Sequence, residues 1–209
     1  MDNTWATPLY FKALEHGVDV IVHASTKYPA GHSDILLGTV SANAACWPQL
    51  WATFDSLGIC AGPDDVYQVL RGLRTMGVRL ERHRQSALEI ARWLETKAGV
   101  ARVLHPALES HPGHAIWKRD FSGSSGIFSV VLDGAGEQQS HAFLDALKIF
   151  GLGYSWGGYE SLAVPVNVRD RVVAKGPYGG AIIRLQIGLE DVPDLKADIE
   201  RGLTAAAGG

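Results

Sequence analysis

The sequence predicts an α/β unit followed by an α+β unit, on three observations. The first sixty or so residues alternate a short helical segment with β-branched runs, the grammar of a strand–helix–strand sheet. One amphipathic pattern then runs from about Asp64 to Lys97. Beyond it, strand and helix patterns resume and continue to the C-terminus.

In order, Leu9 to His16 reads as helical, closed by Gly17, a common stop residue. Val18 to His23 is a β-branched run expected to be a buried strand, and Ile35 to Ser41 is the next. The stretch from Ile35 to Phe54 carries no charge, but Ser41, Asn43, Pro48 and Gln49 make it too polar for a membrane span. It is expected to be a strand followed by a short buried helix.

In the long helix, Val66, Val69, Leu70, Leu73, Met76, Leu80, Ala87, Ala91 and Leu94 form one apolar stripe. Gly72 and Gly77 predict a bend or a break. Arg71, Arg74, Arg79, Arg82 and Arg84 read as a solvated face with internal ion pairs rather than a phosphate-binding one. Strands follow at Val100 to Leu104 and Ile127 to Leu132, then a helix from Glu137 to Phe150 and a strand from Ile182 to Leu189. The last helix starts at an Asp191 cap with Pro193 in its first turn and buries Val192, Leu195, Ile199 and Leu203. The Ala/Gly tail at 205–209 is expected to fray.

Composition bounds the function. Of 209 residues, 46% are hydrophobic and 20% charged, ordinary values for a globular chain and wrong for a disordered one. Nineteen basic against 22 acidic side chains give a net charge of −3, which argues against a nucleic-acid partner. Cys46 and Cys60 cannot build a disulfide framework, and with no leader pattern at Met1 a reducing cytoplasmic setting is expected. No His/Cys cluster has metal-ligand spacing, and there is no nucleotide-binding glycine motif.

Four groups carry chemistry. Lys27 follows a strand between Ser25, Thr26 and Tyr28, where a lysine can lose solvation and act as an amine nucleophile; adjacent hydroxyls are donors a phosphate needs. The bland alternative is a surface lysine. Asp2 lies one helix and one strand earlier, so a parallel sheet would set both at the carboxyl ends of neighbouring strands, where one could pair with a pyridine nitrogen and the other form an imine. Taken alone, Asp2 also reads as a helix cap. Arg184 interrupts an apolar strand and needs a carboxylate, either from a substrate or from an internal Asp or Glu. Gly153-Tyr154-Ser155-Trp156-Gly157 matches the serine-hydrolase elbow, but the eight histidines end at His141, leaving no base downstream.

Together these stretches resemble the cystathionine β-lyase branch of the pyridoxal-phosphate-dependent Cys/Met metabolism enzymes. The similar segments are Asp2-Asn3-Thr4-Trp5, Thr26-Lys27-Tyr28 through Asp34, Arg71 to Arg79, Trp117 to Gly126, Tyr154 to Ser161 and Ile183 to Asp191. The resemblance implies part of an aspartate aminotransferase-like (fold type I) large domain over residues 1–73. A C-terminal α+β domain over 74–209 would follow, entered by the long helix.

It implies pyridoxal 5'-phosphate as cofactor, Lys27 as the lysine that carries it, Asp2 as the carboxylate on the ring nitrogen and Thr26 as a phosphate ligand. Relatives carry Ser three positions before the lysine; Ala24 stands there here, with Ser25 beside it. Arg184 matches the arginine on the substrate carboxylate, and Ser155 and Trp156 a loop on the substrate side. Relatives running γ-chemistry usually carry Leu where Trp156 stands. The implied reaction cleaves cystathionine to homocysteine, pyruvate and ammonia, in a homo-oligomer. Family enzymes are roughly twice this long, and the rest would precede Asp2. A non-catalytic fragment, or a half-subunit needing a complementary chain, is the competing expectation; a serine hydrolase is a distant third.

Overall fold

The computed structural model describes residues 1–168 and 178–208. Asp2 forms an isolated parallel bridge with Val22; the Asn3 N–H donates to Val22 O at 3.0 Å and the Val22 N–H to Met1 O at 2.8 Å. Helix α1 (Thr7–Tyr10) and a 3-10 turn (Ala13–His16) follow, the turn closed by Gly17 at φ 79°. The single helix expected there is split because Phe11 is extended and its carbonyl accepts from Asn3 Nδ2 at 2.9 Å.

Strand β1 (Val20–Ala24) pairs antiparallel with β2 (Gly38–Ala42), Val22 opposite Val40. These strands are less buried than expected: Val22 and Val40 are 47% and 46% exposed. Helix α2 (Trp47–Ser56) has no buried residue, against the expectation of a buried helix. Among the described residues its neighbour is β2, so its apolar side chains pack mainly on one another, with Trp47–Trp51 and Trp51–Phe54 ring centroids 5.8 and 5.7 Å apart.

Helix α3 (Pro63–Leu94) is unbroken. Gly72 neither bends nor ends it; a Cβ there would stand 2.3 Å from Pro29 O and 2.5 Å from Ala30 O, so glycine lets the helix lie against the segment that follows Lys27. The apolar stripe is buried only in part. Val69, Met76, Leu80, Ala87, Ala91 and Leu94 are covered, whereas Val66, Leu70 and Leu73 stay about half exposed. Arg84 pairs with Glu81 and Arg82 with Asp191 at 3.6 Å, as a solvated face would. Arg79 departs from that reading and is buried.

The rest of the chain builds a five-stranded sheet from β3 (Val100–Leu104), β4 (Ile127–Leu132), β5 (Gly151–Leu152), β6 (Leu162–Val166) and β7 (Ile182–Gln186). Its order is β3-β4-β7-β6-β5, antiparallel except between β5 and β6. Helix α4 (His114–Asp120) precedes β4; α5 (Glu137–Asp145) and α6 (Val192–Gly208) pack on each other and on the sheet. Ile183, Leu185 and Ile187 are fully buried with Phe143, Leu195, Ile199 and the second half of α3. Each such side chain contributes about 1.5–3 kcal/mol relative to exposure.

The short β5 and the Pro165-containing β6 are invisible to periodicity, because proline demotes a strand pattern. The expected fraying at the C-terminus does not occur through Gly208: α6 runs that far, with Ala206 against the core. Two carboxylates fix the approaches to the β5–β6 loop. Buried Asp198 accepts the N–H groups of Lys148, Ile149 and Phe150 at 2.8, 2.7 and 2.9 Å. Glu190 accepts the N–H and hydroxyl of Ser161 at 2.8 and 2.7 Å.

Candidate active site

Lys27 stands in a tight turn after β1, its N–H donating to Ala24 O at 3.0 Å and its carbonyl accepting from Gly31 N at 2.8 Å. Its Nζ reaches the β5–β6 loop, donating to Ser155 Oγ at 2.9 Å and lying 5.4 Å from the centre of the Trp156 ring. That loop can come so close because of Gly157. At φ +83°, it brings the position a Cβ would occupy to 3.0 Å from Lys27 Cβ and from Tyr28 N, a backbone conformation glycine adopts without strain. Burial, and then the nearby Arg184 charge, hold the Lys27 ammonium below its ordinary value, raising the fraction of free amine.

Arg184, on β7, donates through Nη2 to Tyr154 O at 2.7 Å. Its Nε is buried without a partner, and no carboxylate pairs with it among the described residues. Arg184 and Tyr154 line a cavity of about 810 Å³ that also borders His141 and Val164, on the scale of a small-ligand site.

Asp2 forms one isolated parallel bridge with Val22 of β1 and does not close a regular strand, so the parallel pairing of the βαβ reading is present only as that bridge. The Thr4 N–H donates to its Oδ1 at 2.7 Å; Thr4 holds the carboxyl below its usual value despite partial burial, with a smaller contribution from His23. His23 was not singled out in the sequence. It is buried, and its Nε2 has no partner among the described residues; burial lowers its pKa and Asp2 opposes that.

The two hydroxyls beside Lys27 are engaged elsewhere. Thr26 Oγ1 donates to Leu37 O at 3.3 Å and accepts from Leu37 N at 3.0 Å. Buried Ser25 Oγ shares a 3.0 Å hydrogen bond with Thr39 Oγ1. The structure thus brings Lys27, Ser155, Trp156 and Arg184 together, and sets Asp2 near His23.

Ser155 does not sit on a strand-to-helix elbow. Its loop joins two strands, so the scaffold a hydrolase nucleophile needs is missing. Gly157 and the Tyr154 carbonyl were present in the quoted motif, but their roles show only once the loop is seen folded over Lys27.

The sequence model of the family described as "Cys/Met metabolism PLP-dependent enzyme" matches residues 1–204. The chain belongs to that family. It is 68% identical, over 99% of its length, to a Rhizobium johnstonii protein provisionally named a cystathionine β-lyase, of which it covers 53%. It is 49% identical over 97% of its length to the cystathionine β-lyase MetC of Escherichia coli, covering 52% of that chain. A crystal structure of cystathionine γ-synthase from Xanthomonas oryzae pv. oryzae superposes with a TM-score of 0.90 at 38% identity, covering 99% of this chain and 55% of that one. The chain spans about half the length of the curated relatives it matches. Its fold is accordingly that of the pyridoxal-phosphate enzymes of fold type I, and pyridoxal phosphate is the family's cofactor.

The residues present fit that group. A half-buried amine, a carboxylate held ionised and an arginine with a buried unpartnered Nε are the three charges a pyridoxal-phosphate amino-acid site requires.

Proposed function

We propose that this chain is part of a carbon–sulfur β-lyase acting on cystathionine, releasing homocysteine, pyruvate and ammonia. The observation that carries the reading is the convergence of Lys27 Nζ, Ser155 Oγ and the Trp156 ring beside Arg184. Pyridoxal phosphate, when bound, supplies the electron sink that makes the substrate Cα–H acidic.

In this proposal Lys27 would hold the cofactor through Nζ and, when its amine is free, would take the substrate Cα proton. Ser155 holds Nζ on the substrate side between these two tasks. Asp2 would pair with the ring nitrogen and keep it protonated. Arg184 grips the substrate carboxylate through two parallel hydrogen bonds, orienting Cα for deprotonation. Thr26 and Ser25 would be the hydroxyls assigned to the phosphate; here they hydrogen-bond to Leu37 and Thr39. The resemblance, in which relatives running γ-chemistry usually carry Leu where Trp156 stands, favours β- over γ-cleavage.

Two measurements test this. Adding pyridoxal phosphate should give the visible imine band, absent in Lys27→Ala; an unchanged spectrum in that variant removes Lys27 from its role. Cystathionine has a three-carbon and a four-carbon arm, so β-cleavage gives pyruvate and γ-cleavage 2-oxobutyrate. Pyruvate as the keto acid product supports the assignment, and 2-oxobutyrate overturns it.

A second reading, a half-subunit that works only with a complementary polypeptide, is favoured by the apolar side chains exposed on α2 and the first half of α3. It expects no pyruvate from this chain alone, and pyruvate once the remaining half of a full-length relative is supplied. A cytoplasmic, homo-oligomeric enzyme remains part of the proposal; among the described residues no helix is long and apolar enough to cross a membrane.

A further inference from the structure

Arg79 is buried in the middle of α3, 8% exposed, with no acidic partner among the described residues. A guanidinium in that setting is costly unless its N–H groups are matched. Its donors are taken up by the backbone around Lys27 and by its own helix. Nη1 donates to Tyr28 O at 2.9 Å, Nη2 to Pro29 O at 3.3 Å and to Gly72 O at 2.8 Å, and Nε to Thr75 Oγ1 at 3.1 Å.

Three of the turn's other carbonyls are satisfied within it: Ser25 O by Ala30 N, Lys27 O by Gly31 N, and Ala24 O by Lys27 N. The carbonyls of Tyr28 and Pro29 accept from Arg79 instead. The space is reserved for it. A Cβ on Gly31 would lie 1.9 Å from Arg79 Nη1, and one on Gly72 would strike Pro29 O.

Tyr28 transmits this hold to the site. Its ring packs 5.7 Å from Trp156, and its hydroxyl accepts from Gly126 N at 2.9 Å, so a shift of its carbonyl displaces both the residue adjoining Lys27 and the ring that packs on Trp156.

We propose that Arg79 is a positioning residue for Lys27: its planar fork clamps the two carbonyls that follow the lysine and so fixes where Nζ stands against Ser155 and Trp156. The proposal rests on the assignment of Lys27 as the reacting amine. A lysine at 79 cannot reproduce the fork, because one ammonium cannot meet Tyr28 O, Pro29 O and Gly72 O along with Thr75 in the same plane. A purely structural arginine would alter stability alone. A positioning one also alters the surroundings of Nζ, where Arg184 is the charged group facing it.

The test is competitive amine labelling of this chain across pH without cofactor, read at Lys27 by peptide mass spectrometry, with Lys12 as reference for reagent. In Arg79→Met the Lys27 midpoint should rise by roughly half a unit or more, as the amine leaves its half-buried place. Arg79→Lys should shift it the same way. Helical circular dichroism identifies the folded variants, and if Arg79→Met does not fold, Arg79→Lys decides. A midpoint unchanged in the folded variants overturns the proposal.

A parallel arm adds pyridoxal phosphate to the unmodified chain. Failure to form the visible band there, with the labelling shift intact, would count against the assignment of Lys27 and not against the clamp.

Discussion

The hydrogen bond from Lys27 Nζ to Ser155 Oγ joins residues 128 positions apart and holds in place the amine proposed to react. Ser155→Ala removes the acceptor, and a bond to a charged donor is worth about 1.5–3 kcal/mol. Turnover should therefore fall about tenfold or more while circular dichroism is unchanged. Asp198 works at the same scale from the other end of the loop. Burial pushes its carboxyl up, but the N–H groups of Phe150, Lys148 and Ile149, with Arg201, outweigh that and hold it below its ordinary 3.8. A carboxyl depressed in the folded state contributes its stability above the unfolded value and loses it as pH falls through the folded one. Denaturation midpoints should accordingly drop below about pH 4, and Asp198→Ala should cost about 3 kcal/mol at neutral pH and flatten that acid limb. An acid limb of undiminished slope in the variant would show that other carboxylates cause it.

Helix α3 shows what periodicity reads and what it misses. The repeat of three and four fixed a long helix, since an apolar stripe at that spacing needs no knowledge of its partner. The glycines were misjudged because their reason lies across a contact. Gly72 touches the carbonyls of Pro29 and Ala30, whereas a Cβ on Gly77 would meet nothing nearer than Leu9 Cδ1 at 3.9 Å. The two positions should respond oppositely to alanine. Gly77→Ala should stabilise by up to about 1 kcal/mol through helix propensity. Gly72→Ala should destabilise by roughly 1–3 kcal/mol, because the backbone facing it has to move. Urea midpoints of the two variants falling on the same side of the parent would refute this reading. The same helix changes partners along its length: Met76 and Leu80 pack with Tyr28, and from Ala87 onward it joins the core of the five-stranded sheet. We propose the division of the chain near residues 73 and 74 from the family resemblance, and the change of partners itself falls later, between Leu80 and Ala87.

At the scale of the whole molecule, Trp47, Trp51, Phe54 and Leu57, at and just after α2, and Leu70 and Leu73 on α3 are 40–67% exposed, large apolar side chains of the kind that mark association surfaces when they cluster. The chain alone should therefore associate as its concentration rises, seen as an increase in sedimentation coefficient. Trp51→Glu with Phe54→Glu should reduce that association without loss of helical signal, since α2 has no buried residue. Association unaltered by this pair would place the contact elsewhere on the chain.

Local order in the sequence determined most elements and the chemical character of the site: a lysine after a β-branched run among hydroxyls, an aspartate one unit earlier, and an arginine alone in an apolar strand. These are properties of short stretches, and the Lys27, Asp2 and Arg184 segments carry them wherever the rest of the chain goes. Tertiary structure decided which of them meet. Only folding lays Ser155 and Trp156 over Lys27 and leaves Arg184 without an internal carboxylate among the described residues. Only folding, too, turns Arg79 inward onto the carbonyls of Tyr28 and Pro29. Contacts across such distances depend on close approach at Gly72 and Gly157, which a residue's own neighbours in sequence do not encode.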